Sequence, residues 1–314
     1  MDSFDLSVIV VSWNVRDLLR VCLASLHASA LACEVIVVDN ASTDGSVPMV
    51  EAEFPAVRVL ANSENAGFTR ANNQGLAVSQ GRYVFFLNPD AEVLCDAPAT
   101  MVAFMDAHPE AGALGPQLRY GDGSLQSSRR RFPTLATAIF ESTPLAWHLP
   151  PAANRWARRY HMDDVPVPDE RSKSAQQVDW VVGAALLARR TALDQVGGFD
   201  EGYFMYSEEL DWCRRASDAG WQILYYPAAK VIHHEGKSSE QAVAARHIRF
   251  HTSRVRYFRK FHGAFAAESL RLIVLAMFAG EWALEGAKRL AGSKPPLRRQ
   301  RMDAYAQLLR SGLR

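Results

Sequence analysis

Over the first 110 residues, short β-branched apolar runs alternate with stretches whose apolar positions recur at helical spacing. Leu6–Val11 reads as a buried strand, and Arg16–Ala28 places Leu18, Leu19, Cys22, Leu23 and Leu26 on one helical face. The alternation continues through Glu34–Val38 as a strand, Pro48–Phe54 as a short helix and Val57–Leu60 as a strand. Thr69–Gln80 then reads as a helix, Tyr83–Leu87 as a strand and Met101–His108 as a helix. Such a pattern predicts an α/β fold with a mostly parallel sheet and helices on both faces. In sheets of this kind, ligands sit beyond the carboxyl ends of the strands. The polar clusters Ser12–Asn14, Asp39–Asp44, Asn62–Gly67 and Asn88–Asp90 all fall at those ends, which places a candidate site along one edge.

The middle of the chain is less regular. Gly121–Gly123 reads as a turn, and residues 144–175, rich in proline and charge, as a flexible or substrate-facing segment. Val178–Leu187 is expected as one strand, Thr191–Val196 as a helical turn and Ser207–Gly220 as a helix. Ile223–Tyr226 is expected as a strand, with Val231–Ile232 ending another.

Composition excludes several classes. The 314 residues are 48% hydrophobic and 22% charged, too apolar for a disordered chain. No uninterrupted apolar run reaches the roughly 18–20 residues of a spanning helix. The four cysteines form no C-x-x-C pair, so neither a disulfide scaffold nor a zinc ribbon is expected, and a reducing compartment fits. The N-terminal stretch MDSFDLSVIVVSWN has acids where a secretory signal would have lysines, so no export signal is expected. The net charge of +1 conceals an asymmetry, because residues 241–314 hold 15 Lys+Arg against 4 Asp+Glu. A basic tail on an acidic body faces something anionic, a lipid surface or nucleic acid.

Several residue groups carry candidate chemistry. Asp39 follows a strand directly, where a carboxylate can accept a ring N–H from uracil or thymine; turn and cap residues have the same composition. Asn88-Pro89-Asp90 must turn out of its strand, and Asp90 suits Mg2+ or Mn2+ bridged to a diphosphate as well as it suits a helix cap. Glu208, Glu209 and Asp211 crowd one helix start. The helix dipole favours acids there, but the interleaved Tyr206, Leu210 and Trp212 imply partial burial, as for a general base worth about 10²–10⁴-fold. His233 and His234 follow a strand and offer a metal ligand. Arg129, Arg130 and Arg131 read equally as a solvated charge run or as a phosphate or acceptor clamp.

In their order and spacing these stretches resemble inverting glycosyltransferases of family 2, of the GT-A type, and most of all the bacterial rhamnosyltransferase-like branch. The resemblance is carried by SVIVVSWN (7–14), VIVVDNASTDGS (35–46), NAGFTRANNQGL (65–76) and FFLNPDAEV (85–93). It continues through DGSLQSSRRRFPTL (122–135), VVGAALLARR (181–190), GGFDEGYFMYSEELDWCRR (197–215) and VIHHEGKSS (231–239). It implies a GT-A catalytic domain over 1–240, with a nucleotide-binding half to about 115 and an acceptor-binding half from about 116. A basic helical extension over 241–314 follows. It also implies that Asp39 contacts the base of a dTDP- or UDP-sugar, with Ser12 and Asn14 nearby. Asn65, Gly67, Phe68 and Asn72 would line the nucleotide-sugar pocket, and Gly183 and Ala184 would shape the sugar pocket. Asp90 would bind the metal, with help from His233. Glu209 would be the base, with Glu208 and Asp211 as rivals, in a reaction without a covalent intermediate. Two positions depart from the family pattern: the usual Asp-x-Asp is Asn88-Pro89-Asp90, and the usual Glu-Asp pair is Glu208-Glu209.

The implied acceptor is a cell-surface glycan precursor or a lipid-linked sugar. The tail fits this. Over Gly263–Leu290 the charged Glu268, Arg271, Glu281, Glu285, Lys288 and Arg289 share about half the helical wheel, leaving an apolar face suited to a membrane interface. Docking on the catalytic domain or on a second subunit would use the same face. A cytoplasmic enzyme, peripheral on the inner face of the cell membrane and not bound to nucleic acid, is the resulting expectation. Two other classes share parts of the pattern. A sugar nucleotidyltransferase would carry a Gly-rich basic loop where this chain reads SWNVRD. A non-catalytic module binding anionic surfaces or nucleic acid would interleave basic and aromatic residues as in Tyr257–Lys260.

Overall fold

The computed structural model describes residues 4–94, 96–142, 155–171, 174–234, 243–292 and 294–314. Residues 143–154 and 172–173 of the proline-rich segment, and 235–239 of the last motif, lie outside them. The chain divides into two compact units. Met1–Phe132, His161–Phe204 and Glu208–Ser238 form the first; Pro133–Tyr160, Met205–Ser207 and Ser239–Arg314 form the second.

The first unit begins with the expected alternation: β1 (Leu6–Ser12), α1 (Arg16–His27), β2 (Glu34–Asp39), α2 (Ser46–Glu53), β3 (Arg58–Ala61), α3 (Phe68–Val78) and β4 (Tyr83–Leu87). These strands pair in parallel in the order β3-β2-β1-β4. Val8, Val10, Val37, Phe85 and Leu87 pack on Leu19, Leu23 and Leu26 of α1. Ile9, Ile36 and Phe86 are buried as well, and the Phe86 ring lies 4.7 Å from that of Phe199. Each such fully buried aliphatic or aromatic side chain stabilises the fold by about 1.5–3 kcal/mol.

β5 (Ala91–Val93), α4 (Ala97–Ala107), β6 (Ala111–Arg119), β7 (Leu125–Gln126) and β8 (Arg129–Arg130) follow. After α5 (Leu135–Glu141) and α6 (Arg155–Tyr160) come β9 (Gln176–Val178), β10 (Trp180–Val181), β11 (Ala185–Arg189), α7 (Arg190–Val196), α8 (Glu208–Asp218) and β12 (Gln222–His233). The first parallel run ends at β4, where β11 joins antiparallel; β6 is antiparallel to β11, β12 pairs in parallel with β6, and β5 is antiparallel to β12. β6 has no counterpart in the sequence pattern, because Gly112, Gly115 and Pro116 interrupt its apolar run. It forms because its partner bends with it. β12 is one strand rather than two, and its register on β6 shifts between Tyr226 and Lys230, opposite Pro116 and Gln117.

The strand expected over Val178–Leu187 is three pieces. β10 pairs with β8 in a separate two-stranded ribbon, and β11 returns to the main sheet, so the chain turns at Gly183-Ala184 between them.

The second unit holds α5, α6, α9 (Val243–Leu290) and α10 (Pro295–Ser311). α9 starts well before the expected helix and breaks at Gly263, whose φ of 86° only glycine adopts readily. Arg254 is buried in this unit, paired with Glu141, and Ser253 donates to the Met205 carbonyl at 2.7 Å.

Candidate functional site

At the ends of β1 and β2, Ser12 and Asp39 are register partners, both buried. Asp39 Oδ2 accepts the Ser42 N–H at 2.8 Å, whereas Asp39 Oδ1 and Ser12 Oγ are buried with no hydrogen-bond partner among the described residues. An orphaned carboxylate oxygen costs about 1–3 kcal/mol or more, so it marks a place where a ligand donor is awaited. Asn14 braces this loop: its N–H donates to Ser42 Oγ and its Oδ1 accepts the Thr43 N–H. Asn40, which the sequence reading does not single out, ties the loops together by donating from Nδ2 to the Gly67 carbonyl at 3.2 Å.

Gly67 and Phe68 follow as expected beyond β3. Gly67 has φ 87°, and a Cβ there would lie 2.8 Å from the Phe204 carbonyl oxygen, which accepts the Phe68 N–H. Asn65 Oδ1 accepts the Gly67 N–H at 3.0 Å. Asn72 is buried inside α3 and donates to the Phe68 carbonyl, so it stabilises the helix's first turn. Thr69, which no sequence motif singles out, is buried, and its Oγ1 has no hydrogen-bond partner among the described residues.

The end of β4 brings Asn88 and Asp90 together with His233 at the end of β12. Asp90 is 2% exposed, its Oδ1 has no hydrogen-bond partner among the described residues, and His233 Nε2 stands 3.5 Å from that oxygen. His233 Nδ1 lies 3.0 Å from Gln126 Oε1, an acceptor; the proton assigned to Nδ1 by that contact leaves the Nε2 lone pair toward Asp90. Asn88 Nδ2 is 3.4 Å from the same Nε2. Gln126, 107 positions away in the chain, therefore orients the imidazole, and nothing in the sequence pairs them. An orphaned carboxylate oxygen facing an imidazole lone pair fits one divalent cation. Among the described residues no group of three or more His, Cys, Asp or Glu side chains can hold a metal, so the remaining ligands would be phosphate oxygens, as is usual for Mg2+.

The turn between β10 and β11 links this corner to the acids of α8. Ala184 O accepts the Asn88 N–H at 2.9 Å, and the Gly183 N–H donates to Glu209 Oε1 at 3.2 Å. Tyr206 and Ser207, just before α8, both hold positive φ (71° and 67°), strained for non-glycine residues. Burial raises the Glu209 pKa, opposed by backbone N–H groups and by the Arg130 charge. Glu208 is pushed well above the usual carboxylate range by burial, then by the Glu209 charge. Each has a buried Oε2 with no hydrogen-bond partner among the described residues.

Two of the expected groups are placed differently from their neighbours in sequence. Asp211 is fully buried, with Oδ1 paired to Arg215 at 2.7 Å and Oδ2 accepting from Tyr203 at 3.1 Å, contacts that brace the helix. The three arginines do not point to one place. Arg129 is buried, bonded to the Val165, Pro166 and Met162 carbonyls and to Gln176 Oε1, and Arg131 is paired with Asp164 at 2.8 Å. Strand alternation turns Arg130 to the other side, where its charge reaches Glu209.

The family model described as glycosyl transferase family 2 matches residues 7–166. N-acetylglucosaminyl-diphospho-decaprenol L-rhamnosyltransferase of Mycobacterium tuberculosis is 33% identical over 300 residues, 91% of each chain. The chain belongs to glycosyltransferase family 2. A second relative, the rhamnosyltransferase WbbL of Escherichia coli K12, is 28% identical over 72% of this chain and 82% of its own. The fold is also that of the mannosyltransferase PcManGT from Pyrobaculum calidifontis, solved with GDP-mannose and Mn2+ (TM-score 0.57, 19% identity, 97% of this chain and 85% of that one). This family 2 chain is thus a glycosyltransferase with a GT-A-type mixed sheet and a C-terminal helical extension.

Proposed function

We propose that this glycosyltransferase moves a deoxyhexose, rhamnose first among them, from a dTDP- or UDP-sugar to a sugar carried on a lipid diphosphate, with inversion. The observation that carries the proposal is the continuity of the Gly183-Ala184 turn, which holds Glu209 at one residue and Asn88, next to Asp90, at the other. The relatives' rhamnosyl transfer, in one case to an acceptor on diphospho-decaprenol, supports the sugar and acceptor class.

In this reading Asp39 Oδ1 accepts the ring N–H of the donor's pyrimidine, and Ser12 and Asn14 shape the rim around it. Asn65, Gly67, Phe68 and Asn72 build the wall beside the ribose and diphosphate. Asp90 and His233 Nε2 hold a divalent cation, Mg2+ or Mn2+, which when bound neutralises charge on the leaving diphosphate. Asn88 adds an uncharged amide to that corner. Gly183 and Ala184 leave space for the sugar. Glu209 takes the proton of the acceptor hydroxyl as its oxygen bonds to the anomeric carbon, and the bond from that carbon to the diphosphate breaks on the opposite face. Glu208 holds a proton and spares the site a second buried negative charge. Arg130 faces the acceptor's phosphate. The catalytic part spans 1–240 and the extension 241–314. A lipid-borne acceptor places the enzyme on the cytoplasmic face of a membrane, and the basic C-terminal helices are the part of the chain suited to hold it there.

The test is a panel of dTDP-, UDP- and GDP-sugars with Mg2+ or Mn2+ and a short lipid-diphosphate N-acetylglucosamine acceptor, read as nucleoside diphosphate released. Acceptor-dependent release from a dTDP- or UDP-deoxyhexose supports the reading. Release only from GDP-sugars, or only in the absence of acceptor, refutes it.

A further inference from the structure

The part of α9 after Gly263 is inside out. Ala267, Leu270, Val274, Phe278 and Glu285 are its buried positions. That same side carries its charges: Glu285 pairs with Arg298 of α10 at 2.8 Å, and Arg271 pairs with Glu268 and donates to the Gly312 carbonyl. The exposed side is apolar. Phe265 is 86% exposed, Leu272 57%, Leu284 46% and Leu290 92%. At 100° per residue these four and Ile273 fall within about 120° of the wheel, with none of the six charged residues of 264–290 among them. A helix on a water-facing surface has the opposite arrangement. The Ala244–Leu290 stretch also contains an 18-residue window apolar enough to cross a membrane by length and composition, only 22% of it buried. The sequence reading missed this window because it counted only unbroken apolar runs.

We infer that this stripe is a membrane-insertion face that lies in the plane of an anionic lipid surface. Charge selects the occupant. Arg289, Lys294, Arg299 and Arg301 are exposed at the C-terminal end of the stripe, and Arg259 and Lys260 precede Phe265. An anionic leaflet attracts such a set at about 1 kcal/mol per cation. A second copy of this chain would bring the same positive field against itself. The partner helix sets the orientation. α10, with Arg298, Arg299 and Arg301, packs along the opposite side of α9, and a spanning orientation would carry those charges and the Glu285–Arg298 pair into hydrocarbon. Lying flat, the helix sinks its apolar stripe into the acyl boundary and keeps the charged side in water. The stripe runs from Phe265 to Leu290, about 38 Å at 1.5 Å per residue.

This inference deepens the proposal of a lipid-borne acceptor and rests on it for its purpose, but binding is measured without substrate. The full chain is sedimented with phosphatidylcholine vesicles, with and without phosphatidylglycerol, at low and high salt. Expected is binding to the anionic vesicles that weakens with salt without vanishing, because the apolar term is salt-insensitive. Leu272→Glu with Leu284→Glu should lower partitioning at least tenfold, with turnover of a water-soluble acceptor unchanged. If that pair fails to fold, Phe265→Ser with Leu290→Ser, at the two most exposed positions, makes the same test. A wild-type chain that ignores anionic vesicles, or variants that bind as well as wild type, would overturn the inference. So would a wild-type dimer that ignores vesicles and dissociates in the variants, which would make the stripe a contact between copies. Absence of turnover in wild type and variants alike, with vesicle binding intact, would refute the proposed donor and acceptor and leave the stripe standing.

Discussion

Gly183 presents its backbone N–H to Glu209 Oε1 at 3.2 Å, and a Cβ on residue 183 would stand 3.2 Å from the same carboxylate. That is tighter than ordinary contact, so a methyl group there must displace the acid. Gly183→Ala should therefore lower kcat by about tenfold or more, because reaction rates fall steeply with small misplacements of a base. Glu209→Gln should lower it by at least roughly 10²-fold with donor affinity nearly unchanged. Asp211→Ala should act otherwise, lowering stability through the lost Arg215 ion pair and the lost Tyr203 hydrogen bond, while Arg215 keeps its bonds to the Val196 and Gly198 carbonyls. Steady-state kinetics alongside thermal melts separates the two. Full turnover in Glu209→Gln would show the base to be misassigned.

Glu208 predicts a pH dependence of stability. Burial holds its folded-state pKa well above the ordinary 4.5, so between those values the folded protein binds more protons than the unfolded chain. Stability then falls as pH rises through that window. Glu208→Gln removes the penalty: its Tm should exceed that of wild type at about pH 8, and the two should converge below about pH 4. Parallel Tm curves at every pH would mean that Glu208 is not buried as a neutral acid. In the kinetic pH profile, the raised Glu209 pKa puts the acid limb of kcat above the ordinary carboxylate range.

The arginines should separate by function. Arg129→Ala removes bonds to three carbonyls and to Gln176, and should appear as lost stability. Arg130→Ala should leave Tm nearly unchanged, raise the KM for a diphosphate-bearing acceptor, and raise the kinetic pKa of the base by removing a nearby positive charge. A kinetic pKa that does not move would place Arg130 away from the base.

The parallel half of the sheet was legible because its strands are unbroken β-branched runs and its helices are amphipathic. β6 was not, because Gly112, Gly115 and Pro116 read as loop until the irregularity in β12 is seen opposite them. Asn88, Asp90, Glu209 and Gly183 were found as motif residues, but the turn that joins them depends on β10 and β11 belonging to different sheets. Asp211 was separable from Glu209 in principle, since Asp211 and Arg215 form an i,i+4 pair that marks a structural face of the helix. The three arginines look equal in a string of letters and differ only once β8 alternates them. Gln126 and Asn40 left no local signal, because their partners are 107 and 27 positions away.

Asp90→Ala should abolish metal-dependent binding of nucleoside diphosphate while the fold survives, because Asp90 is the only carboxylate in Asn88-Pro89-Asp90. His233→Ala should weaken it, and Gln126→Leu should do so by about 10–100-fold through the freed imidazole. Calorimetric titration of dTDP and UDP with and without Mn2+ makes the comparison. Equal affinity in Asp90→Ala and wild type would remove Asp90 from the site.

The most direct measurement is of the product itself. The enzyme is incubated with a dTDP-deoxyhexose, divalent metal and a lipid-diphosphate N-acetylglucosamine, and the product is examined by mass spectrometry and proton NMR. The account predicts one added deoxyhexose, linked with the anomeric configuration opposite to that of the donor, and no product from Glu209→Gln on the same timescale. Retention of configuration, or an undiminished yield from Glu209→Gln, would contradict it.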